Sequence, residues 1–384
     1  MTKITLFSFF NSYNIGDILI ARSTSRLFSK YFDCTFCDIA SGRECTSDEV
    51  DVPEFCVADN KGLKYRILYS PVIGDLIFSI RSKTSPVSNY ALESCKGSRL
   101  AIFAGGNSIM NLKLFPNEIN VTYATVKKLK EQGIRVAYCF CGVGPFRTKK
   151  SLKIAKKTLE LIDFISVRDQ ASYELVKSLV PQKDVEIWRD PVLLEKYDGA
   201  CEECGAIGIN VYFGADKKLD SDVKNGFIQL IKHLRENYGD YKIKLFSSEL
   251  TDIDHILSVK SAFENDSFVI VENIKTANDL FEMYKSVDVV LGTRMHTIIT
   301  SMISNKAVTS ISWQPKVTSL MEYFENQEYN FDLKYLISNP CQVADKLMDC
   351  LKKREEITKR NETRLLQTKE NVHKALDSFV MRMK

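Results

Sequence analysis

The sequence predicts an α/β protein of two doubly wound halves closed by a helical tail. Short apolar runs alternate with amphipathic stretches along most of the chain, the pattern of parallel strands joined by crossover helices. The series starts afresh after a polar join at 195–205, whose Gly199 and Gly205 fit a hinge. With 384 residues, 45% of them hydrophobic, the chain is long enough to bury two cores. The expected division is 1–198, 206–340 and a tail at 341–384.

In chain order, the run Ile4 to Phe10 reads as the first strand. It meets Asn14-Ile15-Gly16-Asp17 and then a helical run from Ile18 to Lys30, placing a tight glycine turn against a helix N-terminus. Such a turn either cradles an anion or polar ligand, or is structural with Asp17 as N-cap. Residues 41–98, interrupted by Pro53, Pro71 and Pro86, fit the rhythm badly. There Lys64, Arg66, Arg81 and Lys83 alternate with Tyr65, Tyr69 and Phe78. This is either ordinary solvated surface or an acceptor-side insertion suited to a membrane interface.

Further strands are expected at Leu100–Phe103, Ile134–Phe140, Phe164–Val167 and Val185–Trp188, with helices at Ile119–Gln132, Leu152–Ile162 and Gln170–Leu179. The second series is Ala206–Tyr212, Ile243–Phe246, Phe268–Val271, Val287–Leu291 and Val308–Ile311. From Val343 to Lys384 a helix with sparse apolar positions, among them Leu376 and Phe379, is expected to pack on the domains, with a basic membrane-facing helix as the alternative.

Composition excludes some classes. The net charge is +4, with no long single-sign block, so no nucleic-acid partner is expected. No run of about 18 apolar residues suggests a membrane span. The start lacks a small-residue cleavage pattern, so no secretory signal is expected. Cys34/Cys37 and Cys201/Cys204 have metal-site spacing, but no histidine lies near either, and an odd total of 11 favours reduced thiols.

Three strand ends in the first half carry glycine: the Asn14–Asp17 turn, Ala104-Gly105-Gly106-Asn107-Ser108, and Cys141-Gly142-Val143-Gly144-Pro145. Together they suggest a rim where a ligand approaches the backbone. Arg168 ends a short strand, either facing a cleft or paired with Asp169 or a nearby carboxylate at the surface. Sharpest is Val289-Val290-Leu291-Gly292-Thr293-Arg294-Met295-His296-Thr297, where a buried-strand pattern breaks and presents an arginine and a histidine at a helix N-terminus, a setting for phosphate or carboxylate. His233, His255 and His373 lie in polar helical contexts and are expected to be solvated.

Taken in order, Asn14-Ile15-Gly16-Asp17, Ala104-Gly105-Gly106, Gly142-Val143-Gly144-Pro145, Ser166-Val167-Arg168-Asp169 with Ser172-Tyr173, Asp190-Pro191, Gly292-Thr293-Arg294-Met295-His296 and Lys316-Val317 resemble the polysaccharide pyruvyl transferase family, across roughly residues 10–320. The resemblance implies two Rossmann-like domains, GT-B-like, with the active cleft between the halves, the acceptor on the N-terminal side and the donor on the C-terminal side. It implies transfer of the pyruvyl group of phosphoenolpyruvate to sugar hydroxyls, as a ketal, in cell-surface polysaccharide biosynthesis. The chemistry it implies needs one acid and one base: His296, Asp17 and Arg294 are read as catalytic, His296 as the acid or the partner of the leaving phosphate and Asp17 as the base. Substrate binding falls to Arg168, Arg294, Asn14, Gly16, Gly105, Gly106, Asn107, Gly144, Asn210 and Lys316, with both arginines on the donor. No metal and no cofactor besides the co-substrate are expected. The acceptor is a free or lipid-linked saccharide, and the expected location is cytoplasmic, free or peripheral at the inner face of the membrane. Two departures stand out: Ala104-Gly105-Gly106-Asn107 replaces a triple glycine, and Asn305-Lys306-Ala307-Val308 a Gly-Val-Pro. A nucleotide-sugar glycosyltransferase and a non-catalytic saccharide-binding protein are the alternatives.

Overall fold

A computed structural model describes residues 1–45, 76–77, 80, 85–113, 115, 118–197, 203–214 and 218–383. Lys64, Arg66, Arg81 and Lys83 with their neighbouring aromatics, and Gly199 of the expected hinge, lie outside the described residues. The chain packs into two units. Unit 1 comprises Met1–Ser12, Asp17–Pro191 and Asn371–Lys384, and unit 2 comprises Tyr13–Gly16 and Val192–Glu370.

In the first half the elements are β1 (Lys3–Ser8), α1 (Ile15–Ser29), β2 (Asp33–Asp38), β3 (Glu44–Cys45), α2 (Val87–Ser94), β4 (Leu100–Ala104), β5 (Ile109–Asn111), α3 (Glu118–Glu131), β6 (Arg135–Cys141), β7 (Val143–Phe146), α4 (Lys149–Leu161), β8 (Phe164–Val167), α5 (Gln170–Leu179) and β9 (Val185–Ile187). The sheet runs β3-β2-β1-β4-β6-β8-β9, parallel except for β3. Its central strands β1, β4, β6 and β8 are buried almost throughout, which is why they read as mostly apolar runs. Phe7 of β1 stacks on Phe103 of β4 at 4.7 Å, within a core that includes Val136, Tyr138 and Val167.

The second half comprises β10 (Ala206–Asn210), α6 (Asp220–Asn237), β11 (Lys242–Phe246), α7 (Ile253–Lys260), β12 (Val269–Val271), α8 (Ala277–Lys285), β13 (Val289–Gly292), α9 (Met295–Ile303), β14 (Ala307–Ser312), α10 (Pro315–Tyr323), β15 (Asn330–Asp332), α11 (Leu333–Ser338), α12 (Pro340–Lys352) and α13 (Arg354–Met383). Its sheet, β12-β11-β10-β13-β14-β15, is parallel throughout. The winding reverses between β10 and β13, so a ligand crevice is expected beyond the ends of those two strands.

The expected strands are all present, and each unit is a doubly wound Rossmann-like sheet. Two segments fall in units other than those expected. Residues 13–16 group with unit 2 because Ile15 N–H donates to the Ser248 carbonyl (2.9 Å) and Leu250 N–H to the Tyr13 carbonyl (3.1 Å). The expected tail helix is two helices, α12 and α13, and the end of α13 belongs to unit 1. There Phe379 packs on Phe164 (4.7 Å), Trp188 (5.6 Å) and Phe28 (6.2 Å). Burying a phenylalanine in full contributes roughly 2–3 kcal/mol, so this one ring is a substantial anchor. Among the described residues no helix is long and apolar enough to cross a membrane.

Candidate functional site

In unit 2 the site grows from the switch point. Asn210, buried at the end of β10, accepts through Oδ1 from Thr293 N–H (3.2 Å), Arg294 N–H (3.0 Å) and Thr293 Oγ1 (2.8 Å). One amide oxygen thus fixes the exit of the chain from β13. Asn210 Nδ2 donates to the Phe246 carbonyl at 3.1 Å, tying the same exit to β11. Arg294 is the extended N-cap of α9, and His296 follows in its first turn. Every residue of α9 is buried, and its polar ones turn inward: Ser301 donates to the Thr297 carbonyl (2.7 Å), and Thr297 Oγ1 lies 2.9 Å from Ser248 Oγ.

His296, 8% exposed, lies directly on Gly16. A Cβ built on Gly16 would stand 2.1 Å from His296 Nδ1 and 2.2 Å from its Cγ. The glycine is therefore required by close approach. Asn14 organises the turn: its Oδ1 accepts from Gly16 N–H (2.8 Å), and its Nδ2 donates to Glu249 Oε2 (3.3 Å). Asn14, rather than Asp17, accepts from the start of α1, and Asp17 lies in the first turn, accepting from Ser12 Oγ at 3.1 Å.

Arg294 is heavily engaged. Nε and Nη2 donate to the two oxygens of Asp252 (2.9 and 2.5 Å), Nη1 lies 3.0 Å from Glu249 Oε2, and the Tyr212 ring lies 3.9 Å from the guanidinium carbon. Burial pulls its pKa down, but the hydrogen bond and charge of Asp252, with Glu249, outweigh that and hold it above the ordinary value. Trp313, after β14, donates from Nε1 to the Thr293 carbonyl (3.1 Å), and Lys316 sits in the first turn of the following helix α10.

His255, expected to be solvated, is instead stacked on Phe213 at 4.2 Å. Burial is the first cause of a pKa below the ordinary 6.5; Arg294 adds to the lowering, while Asp252, Asp220 and Asp254 oppose it. A depressed folded pKa means the unfolded chain binds more protons in this window. The His255 contribution to stability is therefore present above pH 6.5 and lost as pH falls below it. The drop in melting temperature from about pH 7.5 to 5.5 is expected to be smaller in His255→Phe, which keeps the stack. Equal drops in the two proteins would refute this.

In unit 1 the cluster gathers around Gly142. A Cβ there would stand 3.2 Å from Arg168 Nη2, 3.3 Å from its Nε and 3.3 Å from Asn107 Cγ. Arg168, 6% exposed, donates from Nη1 to Asp190 Oδ2 (3.2 Å), and its Nε lies 3.7 Å from Asp169 Oδ2. That Nε is buried and makes no hydrogen bond among the described residues. The surface pairing considered for Arg168 is thus replaced by a buried one. Asn107 Nδ2 donates to the Gly144 carbonyl at 2.6 Å. Gly105 (φ +68°) and Gly106 (φ +67°) are left-handed, and added Cβ atoms would meet Ile20 at 2.0 Å and Phe9 at 2.4 Å. Cys141, between the strand ends, is pushed up to about 12 by burial despite the pull of Arg168, so it is no nucleophile.

The structure thus gathers Asn14, Gly16, Asn210, Arg294 and His296 in unit 2, and Gly105, Gly106, Asn107, Gly144 and Arg168 in unit 1. Sequence reasoning missed Glu249 and Asp252. Their one signal was position, since Ser247-Ser248-Glu249 follows β11, the neighbour of β10.

A family model described as polysaccharide pyruvyl transferase matches residues 14–315. No curated protein sequence matches the chain. Among solved structures, the chain is similar to an α,α-trehalose 6-phosphate synthase from Burkholderia multivorans (11% identity, 100% of this chain and 96% of that one, TM-score 0.56). It is also similar to a UDP-GlcNAc 2-epimerase from Neisseria meningitidis bound to UDP-GlcNAc (12% identity, 96% and 100%, TM-score 0.53). A third is an O-GlcNAc transferase from Thermobaculum terrenum (11% identity, 100% and 67%, TM-score 0.54). At such identities the likeness is one of fold, the GT-B-like pairing of two Rossmann-like units.

Proposed function

This chain belongs to the polysaccharide pyruvyl transferase family, and on that premise we propose that it moves the pyruvyl group of phosphoenolpyruvate onto two hydroxyls of a saccharide as a ketal, releasing phosphate. The observation that carries the reading is the His296 imidazole, held against the Gly16 backbone in the first turn of α9 at a switch point. A proton donor in the first turn of a helix suits a substrate that must be protonated and must lose phosphate.

Ketal formation balances as follows. The methylene carbon of the donor gains a proton, and the first sugar hydroxyl adds to the neighbouring carbon. The carbon–phosphate oxygen bond breaks, and the second hydroxyl closes the ring. Of the two hydroxyl protons, one replaces that given to the methyl group and the other leaves with phosphate. His296 is proposed as the acid and Asp17 as the base. Arg168, whose Nε is buried with no hydrogen bond among the described residues, is proposed as a donor-anion ligand, since a guanidinium fork suits carboxylate and phosphate. Asn14, Gly105, Gly106, Asn107, Gly144, Asn210 and Lys316 are proposed to shape the substrate sites, and the reaction as proposed uses no metal. The acceptor is proposed to be a free or lipid-linked saccharide of the cell surface, reached from the cytoplasm or the inner face of the membrane.

Two measurements test this. Phosphoenolpyruvate, and not UDP-GlcNAc, is expected to raise the melting temperature. Phosphate is expected to appear only when phosphoenolpyruvate and a saccharide acceptor are both present, with a matching pyruvate-ketal mass gain on the acceptor. Stabilisation by the nucleotide sugar alone would favour a glycosyltransferase; binding without phosphate release across a broad acceptor panel would favour a saccharide-binding protein.

A further inference from the structure

We propose that Arg294 serves this reaction by position, as the centre of a clamp with Asp252 and Glu249 that sets His296 against Gly16, and that Glu249 is the positioning residue joining the two. The inference rests on the pyruvyl-transfer reading for its kinetics, though its geometry stands apart from it.

All three guanidinium nitrogens of Arg294 face carboxylate oxygens: Nε and Nη2 face Asp252, and Nη1 faces Glu249. The Asp252 side chain is 2% exposed and that of Arg294 18%, so the pairing is made largely out of water. With each of its nitrogens turned to a carboxylate oxygen, Arg294 offers an anionic substrate less than Arg168, whose buried Nε makes no hydrogen bond among the described residues. The face of the guanidinium is also occupied, with the Tyr212 ring at 3.9 Å.

Both carboxylates are held by their own loop. Ser247 Oγ donates to Asp252 Oδ2 (2.8 Å) and accepts from Glu249 N–H (3.0 Å), and Thr251 Oγ1 donates to Glu249 Oε1 (3.0 Å). Glu249 Oε2 then does two jobs, lying 3.0 Å from Arg294 Nη1 and accepting from Asn14 Nδ2 at 3.3 Å. On one side of that oxygen is the N-cap of α9, which places His296. On the other is the turn whose Gly16 carries the ring. A single carboxylate therefore registers the two backbones that meet at the imidazole.

The test compares Arg294→Gln, Asp252→Asn, the double variant, Glu249→Ala and Glu249→Gln. For clamp action, each of the first two is expected to lower kcat by about 10-fold or more, as misplacement of a reacting group does, while the KM for phosphoenolpyruvate stays within about 3-fold. The double variant is expected to be no worse than the poorer single one. A rise of about 10-fold or more in KM for Arg294→Gln, with a fall in KM for Asp252→Asn, would make Arg294 a direct donor ligand and overturn the proposal. An activity-free measurement separates the clamp from the reaction. The His296 ring resonance, assigned by its loss in His296→Ala, is expected to move in Asp252→Asn and Glu249→Ala and to move less in Glu249→Gln, which keeps an acceptor for Asn14. If it stays still in the first two, the clamp is wrong whatever the activity. If it moves as expected but no acceptor yields phosphate, the clamp stands and the pyruvyl-transfer reading fails.

Discussion

Gly16→Ala is expected to lower phosphate release from phosphoenolpyruvate by about 10²-fold or more while the chain still folds. The cause is steric and local. The new methyl carbon would stand 2.1 Å from His296 Nδ1 and 2.5 Å from its Cβ, inside the contact distance of any real pair of atoms, so the ring must leave. Gly16 is not left-handed, so alanine adds no backbone strain of its own, and alanine is a better helix former than glycine at the start of α1. The expected effect is displacement of His296, its Cβ included. Circular dichroism and a melting curve check that the fold survives. Turnover within about 3-fold of the parent would show that the reaction tolerates a displaced His296, and would detach the Asn14–Asp17 turn from the chemistry.

This contact marks the limit of what the sequence discloses. The strands were legible because doubly wound sheets bury both faces, turning β1, β4, β10 and β13 into mostly apolar runs. The glycine-bearing strand ends were legible for the related reason that chain leaving a buried parallel strand must turn sharply beside a ligand crevice. What Gly16 is for was not legible, because its partner lies far along the chain and no spacing reports it. Glu249 and Asp252 were hidden differently. The stretch Ser247-Ser248-Glu249-Leu250-Thr251-Asp252 has no periodicity, and acidic residues in a loop are ordinary until an arginine is seen between them. His255 misled because the residues just before it, Thr251 to Asp254, are mostly polar, while the ring stacks on Phe213 from a neighbouring strand end.

His296→Ala is expected to lower turnover by roughly 10²-fold or more, the range for a positioned proton donor. The ring is 8% exposed and rests on glycine, so its removal empties a small space without unpairing a buried charge cluster, and melting is expected to shift by only a few degrees. The decisive comparison is with Gly16→Ala. If Gly16 acts only by supporting the imidazole, then in a His296→Gly background, which lacks both the ring and the Cβ that would stand 2.5 Å away, the three nearest contacts of the added methyl are gone. The double variant Gly16→Ala/His296→Gly should therefore be as slow as His296→Gly and no slower, a full departure from additivity for residues in contact. If the two losses instead multiply, Gly16 has a second role at the substrate itself. If His296→Ala alone retains near-normal phosphate release, the proton reaches the donor's methylene carbon by another route, and the acid must be sought elsewhere in the chain.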